Sequence, residues 1–349
     1  MTLAHKNILL IIQRFYGYEN LIKEQLENDG ATITFIENKA FRNDPVTRNT
    51  KWYLTFLCKK NNYIKHHLLP TSSKRFDVCL FINLFSFHPE VIKNLRKQNP
   101  SIVCILYLWD NIKGYRWEQY FKYFDKIYSF DPVESKKFGI VYLPNFYPPI
   151  VPKNDNRSAK FDFSFVGSLQ VHRLKILDQL LLKLQQQNKS YFFYLYLHPN
   201  YNRLKYNKLV YSLVKLFPAQ FKGYKFLYML ITKRNKHVLV HHQPLTISES
   251  VHIMVNSRSI LDLPFPSQTG STQRVIQALA LNKKVITTNE AVVQESFYSP
   301  EYIKVVSAVD PVIDWDWISQ DFTIRLNMNY LRLDNWLHQI LDLKISDKP

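Results

Sequence analysis

Short apolar runs alternate with amphipathic segments along most of the chain. In the first part, apolar runs predict strands at 7–12, 32–36, 77–82, 102–108, 126–129 and 141–143. Apolar residues at helical spacing predict helices between these strands, for example at 19–28 and 89–97. Strands that are separated by helices form a parallel sheet with helices on both faces. The first part of the chain is therefore predicted to be a doubly wound α/β domain.

The same alternation resumes after a proline-rich stretch, NFYPPIVPKNDNRSAK at 145–160, whose composition is typical of an interdomain linker. Further strands are predicted at 161–166, 191–197, 238–240, 259–263, 283–288 and 303–306. The pattern predicts a first domain at 1–150 and a second at 151–329, followed by a segment at 330–349. At 349 residues the chain is long enough for both domains to bury a core of their own.

The segment 258–289, RSILDLPFPSQTGSTQRVIQALALNKKVITTN, has the most informative pattern. It predicts strand, turn, helix and strand around Gly270, in a chain with only seven glycines. Ser271 or Thr272 can cap the helix, and the first helical turn directs backbone N–H groups beyond Gly270. The sequence therefore predicts an anion site at the carboxyl edge of a parallel sheet.

Two patterns in this segment, Q-x-G-x-T-x-R-x-x-x-A-L and then K-x-[IV]-I-T-x-N, resemble the nucleotide-sugar half of GT-B glycosyltransferases. The chain is most similar to small bacterial enzymes of lipopolysaccharide, capsule and CgeB-like glycosyl transfer. The resemblance implies two Rossmann-like domains facing a central cleft, with a C-terminal helix that packs back on the first domain. It also implies donor-binding roles for Gln268, Gly270, Thr272 and Arg274. An ordinary strand-turn-helix unit of any doubly wound fold is the alternative.

Other candidates follow from position, because ligands of doubly wound domains bind beyond the carboxyl ends of the strands. In the second domain, five more residues at such positions are candidate donor-binding residues, namely Gly167, Ser168, Arg173, Ser271 and Asn289. Arg173 and Arg274 can neutralise a diphosphate without a metal, which suits GT-B chemistry, so no metal and no other cofactor is expected. A solvated arginine in the first helical turn is the alternative for Arg173.

In the first domain, Asp110 directly follows a predicted strand and is the candidate catalytic base that takes a proton from an acceptor hydroxyl. A turn or N-cap aspartate is the alternative. For Asp131, which precedes a proline and a helix, capping is the expected role. Arg14, Tyr16 and Trp109 are acceptor-side candidates by position only.

The large retaining family with an E-x7-E motif has glutamates where this chain has Thr269 and Gln277. The glutamate-pair mechanism therefore has no support in the sequence. Because Asp110 is available as a base, inversion is favoured over retention.

The chain is strongly basic. Its net charge is +18, and no Asp or Glu occurs from 179 to 248. Residues 206–231 mix lysines with Tyr, Phe, Leu and Met, which is typical of a segment that lies on an anionic membrane. A helical hairpin with solvated lysines is the alternative. The three cysteines show no metal or disulfide spacing, and no secretion signal or membrane span is visible, so a cytoplasmic protein on the inner membrane face is expected.

These features together predict a glycosyltransferase that moves a sugar from a nucleotide-sugar to a glycan or glycolipid acceptor, such as a lipopolysaccharide or capsule precursor. One alternative is a nucleic-acid-binding protein with a basic aromatic surface, although no recognised nucleic-acid module is present and no nucleic-acid partner is expected. The other is a GT-B-like epimerase or a non-catalytic relative.

Overall fold

A computed structural model describes residues 3–39, 59–112, 115–149, 159–196, 239–241 and 243–342. The chain divides into two compact units. Unit 1 comprises Met1–Pro149, Gln268–Ser271 and Asn329–Pro349, and unit 2 comprises Ile150–Ser267 and Thr272–Met328. The short segment Gln268–Ser271 thus belongs to unit 1, although it is flanked in sequence by unit 2.

In the described residues of unit 1, six parallel strands form one sheet in the order β2-β1-β3-β4-β5-β6. The strands are β1 (Asn7–Ile12), β2 (Thr32–Glu37), β3 (Val78–Ile82), β4 (Val103–Leu108), β5 (Lys126–Ser129) and β6 (Val141–Tyr142). The first five strands follow the flavodoxin-like order 2-1-3-4-5, in which β2 lies on one side of β1 and β3 lies on the other. The topological switch point of unit 1 therefore lies between β1 and β3.

The helices of unit 1 pack on this sheet through apolar faces, as at Ile22 and Leu26 of α1, which are fully buried. They are α1 (Tyr18–Asn28), a π-helical segment (Ile64–Leu68) that continues into α2 (Leu69–Ser72), α3 (Pro89–Gln98), a 3-10 helix (Trp117–Tyr123) and α4 (Pro132–Phe138). Strand residues such as Phe81 and Leu106 form the centre of the core.

The described residues of unit 2 also form a sheet of six parallel strands, in the order β12-β11-β10-β7-β8-β9. These are β7 (Phe161–Ser168), β8 (Tyr191–Tyr196), β9 (Leu239–His241), β10 (Ser257–Asp262), β11 (Lys284–Thr287) and β12 (Ile303–Val305). If β7 is numbered as strand 1, the order from β9 to β12 is 3-2-1-4-5-6, which is the strand order of the dinucleotide-binding Rossmann fold. The switch point lies between β7 and β10.

The helices of unit 2 are α5 (Val171–Gln186), α6 (Ile247–Val255), α7 (Gln273–Ala280), a 3-10 helix (Glu290–Gln294) and α8 (Trp315–Ser319). Thr246 and Glu249 form a capping box at the start of α6. Apolar residues of α5 and of the strands form the core, with Leu177, Phe165 and Leu261 fully buried.

The last helix, α9 (Leu333–Ile340), belongs to unit 1. Trp336 of α9 is fully buried, and its ring centroid lies 4.6 Å from those of Tyr107 and Phe146. Its indole N–H donates to the Pro144 carbonyl at 3.0 Å, so the polar end of this large side chain is satisfied. Tyr147 also pairs with Arg332 in a parallel bridge. The C-terminal helix thus contributes to the core of the first unit.

One strand differs from the sequence prediction in a way that concerns the site. β7 does not end at 166 but continues through Gly167 and Ser168, which pair with Leu195 and Tyr196 of β8. The pairing persists because β8 extends to Tyr196, opposite Ser168, and Gly167 and Ser168 are therefore strand residues and not part of a turn.

The basic segment at 206–231 and residues 150–158 of the predicted linker at 145–160 lie outside the described residues. Across the part of the chain that is described, no helix has the length and apolarity needed to cross a membrane.

Candidate functional site

The switch point of unit 2 is built around Asp262, the last residue of β10, which is fully buried. One carboxylate oxygen, Oδ1, accepts hydrogen bonds from Thr272 Oγ1 and from Arg274 Nη1, each at 2.6 Å. The other, Oδ2, accepts from Thr287 Oγ1 at 2.9 Å. A buried carboxylate is tolerated when it is paired and hydrogen-bonded in this way.

Arg274, in the first turn of α7, spans the switch point from β10 to β7. Its Nε donates to the Val166 carbonyl at 3.0 Å, and its guanidinium carbon lies 4.7 Å from the ring centroid of Phe165. Within the described residues, Nη2 has no recorded hydrogen-bond acceptor. Nη2 lies instead over Gly167, where an added Cβ would be 2.9 Å from it. The site therefore holds a guanidinium in one orientation with one nitrogen over a glycine.

Arg173 also connects the end of β7 with the loop after β10, through Ser168 and Leu263. Its Nε donates to the Leu263 carbonyl at 2.8 Å, and its Nη1 donates to the backbone carbonyl and the hydroxyl of Ser168 at 2.9 Å. The side chain is buried, so it is not the solvated arginine of the alternative interpretation. Its recorded bonds make it a cross-link between the β7 and β10 loops.

His172 lies beside Arg173, and its Nε2 is 3.0 Å from the Pro264 carbonyl. Burial lowers the pKa of His172 below its ordinary value of 6.5, and the positive charge of Arg173 lowers this pKa further. The hydrogen bond to Pro264 acts in the opposite direction. Folding therefore shifts His172 toward its neutral form relative to the unfolded chain.

The segment Gln268–Ser271 is held by a carboxylate of unit 1. Asp131 Oδ2 accepts from the backbone N–H groups of Thr269 and Gly270 at 3.1 and 2.9 Å, and its Oδ1 accepts from the Thr269 hydroxyl at 2.5 Å. The same carboxylate caps α4 by accepting from the N–H groups of Val133 and Glu134, which confirms the predicted capping role. The two amides of this turn therefore already bind an anion, a carboxylate of the same chain.

Gly270 has a structural reason to be glycine. A Cβ at this position would lie 2.7 Å from the Phe130 ring and 2.8 Å from the Phe130 carbonyl oxygen. Gln268 Nε2 donates to the Gly270 carbonyl at 2.9 Å, and the Ser271 carbonyl accepts from Asn145 Nδ2 at 3.1 Å. These predicted donor residues hold the turn in its conformation within unit 1.

Thr272 and Asn289 occupy the ends of neighbouring elements. Thr272 is the N-cap residue of α7, but its hydroxyl bonds to Asp262 and not to a helix amide. Asn289 caps the 3-10 helix Glu290–Gln294 through a bond from the Ala291 N–H at 3.1 Å. Of the predicted donor residues, Gly167, Thr272 and Arg274 come together at Asp262, while Ser168 and Arg173 form a second group.

At the carboxyl edge of unit 1, a buried asparagine positions Asp110. Asn83 directly follows β3 with a left-handed φ of 60°, a conformation that asparagine adopts more readily than most residues. Its Nδ2 donates to Asp110 Oδ2 at 2.7 Å, and its Oδ1 accepts from the Trp109 N–H at 3.1 Å. Asp110 thus belongs to a hydrogen-bond network that joins the ends of β3 and β4.

A second buried amide supports the first. Asn38 Nδ2 donates to the carbonyls of Ile82 and Asn83 at 2.7 and 2.9 Å, and its Oδ1 accepts from the Ser86 N–H at 2.9 Å. Because Asn38 and Asn83 are fully buried, the cost of a misplaced amide is high. The network therefore holds the loop that presents Asp110.

Two of the three acceptor-side candidates, Tyr16 and Trp109, lie in one aromatic patch of unit 1, which also contains Phe15 and Tyr18. The Phe15 ring lies 4.6 Å from Tyr16 and 5.7 Å from Trp109, between centroids. Phe15 and Tyr16 are 42% and 39% exposed, so two neighbouring rings of the patch present apolar surface to solvent. Arg14 is 70% exposed at its side chain and lies 3.7 Å from Glu37. Trp109 directly precedes Asp110 in the sequence, so the loop after β4 contributes both the carboxylate and one ring of the aromatic patch.

Two functional positions were missed by the sequence reasoning. Asp262 interrupts the apolar run SILDL, and a charged residue in a predicted buried strand is a signal that it has a partner. Asn83 ends the run VCLFI, where a polar residue after a buried strand gives a similar but weaker signal. Among the described residues, no group of three His, Cys, Asp or Glu side chains could hold a metal ion.

Comparisons with known proteins identify the fold. No protein-family model matches the sequence, and no curated protein matches it. Similar solved structures include the N-terminal domain of Candida albicans trehalose-6-phosphate phosphatase, with 10% identity, a TM-score of 0.60 and 97% of each chain covered. A UDP-forming α,α-trehalose-phosphate synthase from Burkholderia xenovorans has 10% identity and a TM-score of 0.58, over 96% of this chain and 98% of that chain.

The catalytic domain of starch synthase IV from Arabidopsis thaliana, bound to ADP and acarbose, is similar over 98% of this chain and 96% of that chain. Its identity is 9% and its TM-score is 0.51. With two parallel α/β units and coverage of nearly the whole chain, these likenesses confirm the predicted GT-B fold.

Proposed function

We propose that this protein is a glycosyltransferase that binds a nucleotide-sugar donor on unit 2 and an acceptor on unit 1. The observation that carries the proposal is the Arg274 guanidinium, which is fixed by Asp262 and Val166 at the switch point of a Rossmann-ordered sheet. Doubly wound sheets bind nucleotides at this position. Two proteins of the same fold support a nucleotide ligand, since one is a UDP-forming synthase and the other was solved with ADP.

The donor diphosphate is proposed to contact Arg274 Nη2 near Gly167. An arginine binds phosphate oxygens through directed N–H groups, and the absence of a side chain at Gly167 is what lets the Arg274 guanidinium lie against this strand end. The first turn of α7 adds the positive end of a helix dipole to the same region. We propose that this charge stabilises the leaving diphosphate without a metal, so that EDTA leaves the transfer rate unchanged.

The acceptor is proposed to bind at the aromatic patch of unit 1, with Asp110 as the base. Aromatic rings with large exposed area suit the apolar face of a sugar ring, and the adjacent carboxylate can accept a proton from a hydroxyl. A base that directly activates the acceptor is the arrangement of an inverting enzyme. Inversion is accordingly proposed, and the anomeric configuration of the product, determined by NMR, tests it.

The biological acceptor is proposed to be a growing, lipid-linked surface glycan such as a lipopolysaccharide or capsule precursor, reached on the cytoplasmic face of the membrane. Support comes from the sequence, namely the motif resemblance at 258–289 and the acid-free basic stretch at 179–248. Flotation with anionic vesicles tests the membrane part, and a protein that stays wholly unbound contradicts it.

A thermal-shift screen against UDP-, GDP-, CMP- and ADP-linked sugars tests the donor proposal. A donor present at 100 times its dissociation constant should stabilise the folded protein by about 2.7 kcal/mol. One class of nucleotide-sugar is expected to raise Tm, and Arg274→Gln is expected to remove the shift. If every nucleotide-sugar leaves Tm unchanged in the parent protein, the proposed function is wrong.

A further inference from the structure

Asp262 lies where three elements of the donor site meet. Its hydrogen-bond partners are the N-cap residue of α7, a side chain in the first turn of α7 and the last residue of β11. The carboxylate is fully buried, and the Arg274 side chain is only 12% exposed. A buried ion pair contributes little net stability compared with an apolar pair of the same size, so stability alone is a weak reason for its presence.

The geometry of Arg274 depends on this carboxylate. Without Asp262, the guanidinium would keep the Val166 carbonyl and the face of Phe165, but the whole group could still tilt about the Nε hydrogen bond and move Nη1 and Nη2 with it. With Asp262, bonds at both Nε and Nη1 fix the plane of the guanidinium. The position of Nη2 over Gly167 then follows from the planarity of the group.

We infer that Asp262 is the positioning residue of the donor site, acting through Arg274. Its role is to hold the guanidinium in place before the donor arrives, so that binding a diphosphate does not have to order a flexible side chain. Thr287 restrains the second carboxylate oxygen and thereby the orientation of the carboxylate itself. The inference rests on the proposed function, since it assigns Asp262 to the donor that Arg274 is proposed to bind.

The test is a double-mutant cycle in the full chain, read as the dissociation constants of UDP, ADP and GDP by isothermal titration calorimetry. For the nucleotide that binds, Arg274→Gln and Asp262→Asn are each expected to weaken binding by about 10- to 100-fold, the equivalent of one charge-assisted hydrogen bond. In the Arg274→Gln background, Asp262→Asn is expected to add less than about threefold. Asp162→Asn, at the start of β7, is the matched control and should bind as the parent does.

Failure of the inference and failure of the proposed function give different results. If Arg274→Gln binds the nucleotide as the parent does, the proposed donor site is wrong. If Arg274→Gln weakens binding but Asp262→Asn does not, or if the two losses add in full, then Asp262 has only a structural role and the inference is overturned.

A second variant covers the case in which Asp262→Asn does not fold. Thr287→Val removes the hydrogen bond to Asp262 Oδ2 while leaving Asp262 and Arg274 in place. It is expected to weaken nucleotide binding several-fold in the parent and to have no effect in the Arg274→Gln background. Thr287→Ser, which keeps the hydroxyl, should restore parental affinity. Parental affinity in Thr287→Val would overturn the inference.

Discussion

At the carboxyl edge of unit 1, neutral amides join neighbouring strand ends, whereas at the switch point of unit 2 arginines join them. Asn83 links the ends of β3 and β4, while Arg274 and Arg173 each link β7 to β10 or its loop. Both sheets are parallel and doubly wound, so the difference comes from side chains and not from topology.

The two edges consequently present opposite charge. Unit 1 presents the Asp110 carboxylate beside exposed aromatic rings, and unit 2 holds a guanidinium over a glycine. A preorganised cation suits a leaving diphosphate, and a carboxylate suits the removal of a proton. Under the proposed function, the same fold plan used twice supplies the two halves of a group-transfer reaction, because the residues after the strands differ.

The largest effect is expected from Asp110→Asn. The asparagine keeps the size of the side chain but cannot take a proton, so the transfer rate should fall by about 10²- to 10⁴-fold. Donor affinity should stay within about twofold of the parental value, because the donor is assigned to unit 2. The measurement is kcat with an identified donor and acceptor, together with calorimetric donor binding.

Glu118→Gln removes an exposed acid of the same unit and serves as the control. A full transfer rate in Asp110→Asn would end its role as base. A large loss of donor affinity would show that the division of labour between the two units is wrong.

Arg173→Gln sharpens the comparison inside unit 2. Because Arg173 donates to Leu263 and Ser168, its loss should lower the free energy of unfolding by about 1.5–3 kcal/mol. Urea unfolding measures this, and Arg258→Gln, which breaks an exposed ion pair at 3.6 Å, should cost less than about 1 kcal/mol. Donor affinity should fall less in Arg173→Gln than in Arg274→Gln. If it fell more in Arg173→Gln, Arg173 and not Arg274 would be the main donor-binding arginine.

Two glycines separate packing from ligand binding. Gly270→Ala introduces a Cβ against Phe130 and should destabilise the protein by about 1–3 kcal/mol, as overpacking usually does. Gly167→Ala places a Cβ 2.9 Å from both Arg274 Nη2 and the buried Phe165 ring, so it should weaken donor binding several-fold in addition to disturbing the packing of Phe165. Each variant is the control for the other, with Tm and donor affinity measured on both. If the two variants lowered Tm equally and donor affinity equally, the assignment of Gly270 to packing and of Gly167 to donor binding would be wrong.

The smallest effect concerns pH. Burial and Arg173 hold the pKa of His172 in the folded chain below its ordinary value of 6.5. At pH values near and below 6.5, the unfolded chain therefore binds more protons at this residue than the folded chain does. The stability that His172 contributes is present above pH 6.5 and is lost as the pH falls through the folded pKa. Denaturant unfolding between pH 5 and 8 should show a smaller loss at low pH in His172→Gln, and an unchanged profile would contradict this reasoning.

The regular elements could be predicted from the sequence because apolar runs and helical spacing are local signals. Predicted strands such as 259–263 and 283–288 correspond to β10 (Ser257–Asp262) and β11 (Lys284–Thr287), with ends shifted by one or two residues. The end of β7 was placed two residues early, because its extension depends on pairing with β8. Strand ends are set by partners that are distant in sequence.

The site was only partly predictable for the same reason. The motif located Thr272 and Arg274, and the position after β4 located Asp110. The partners that fix these side chains are far apart in sequence, as with Asn83 and Asp110, which are 27 residues apart. Thr269 and Asp131 are 138 residues apart, and no local pattern could show that a carboxylate of unit 1 binds the amides of this turn.

Hydrogen–deuterium exchange with and without a saturating nucleotide-sugar tests the central claim most directly, because it locates the ligand on the chain. The donor is expected to slow exchange at the ends of β7 and β10 and in the first turn of α7 (Gln273–Ala280). Protection in these elements should disappear in Arg274→Gln at the same donor concentration. Protection confined to the β1, β3 and β4 loops of unit 1, with none in unit 2, would contradict the claim.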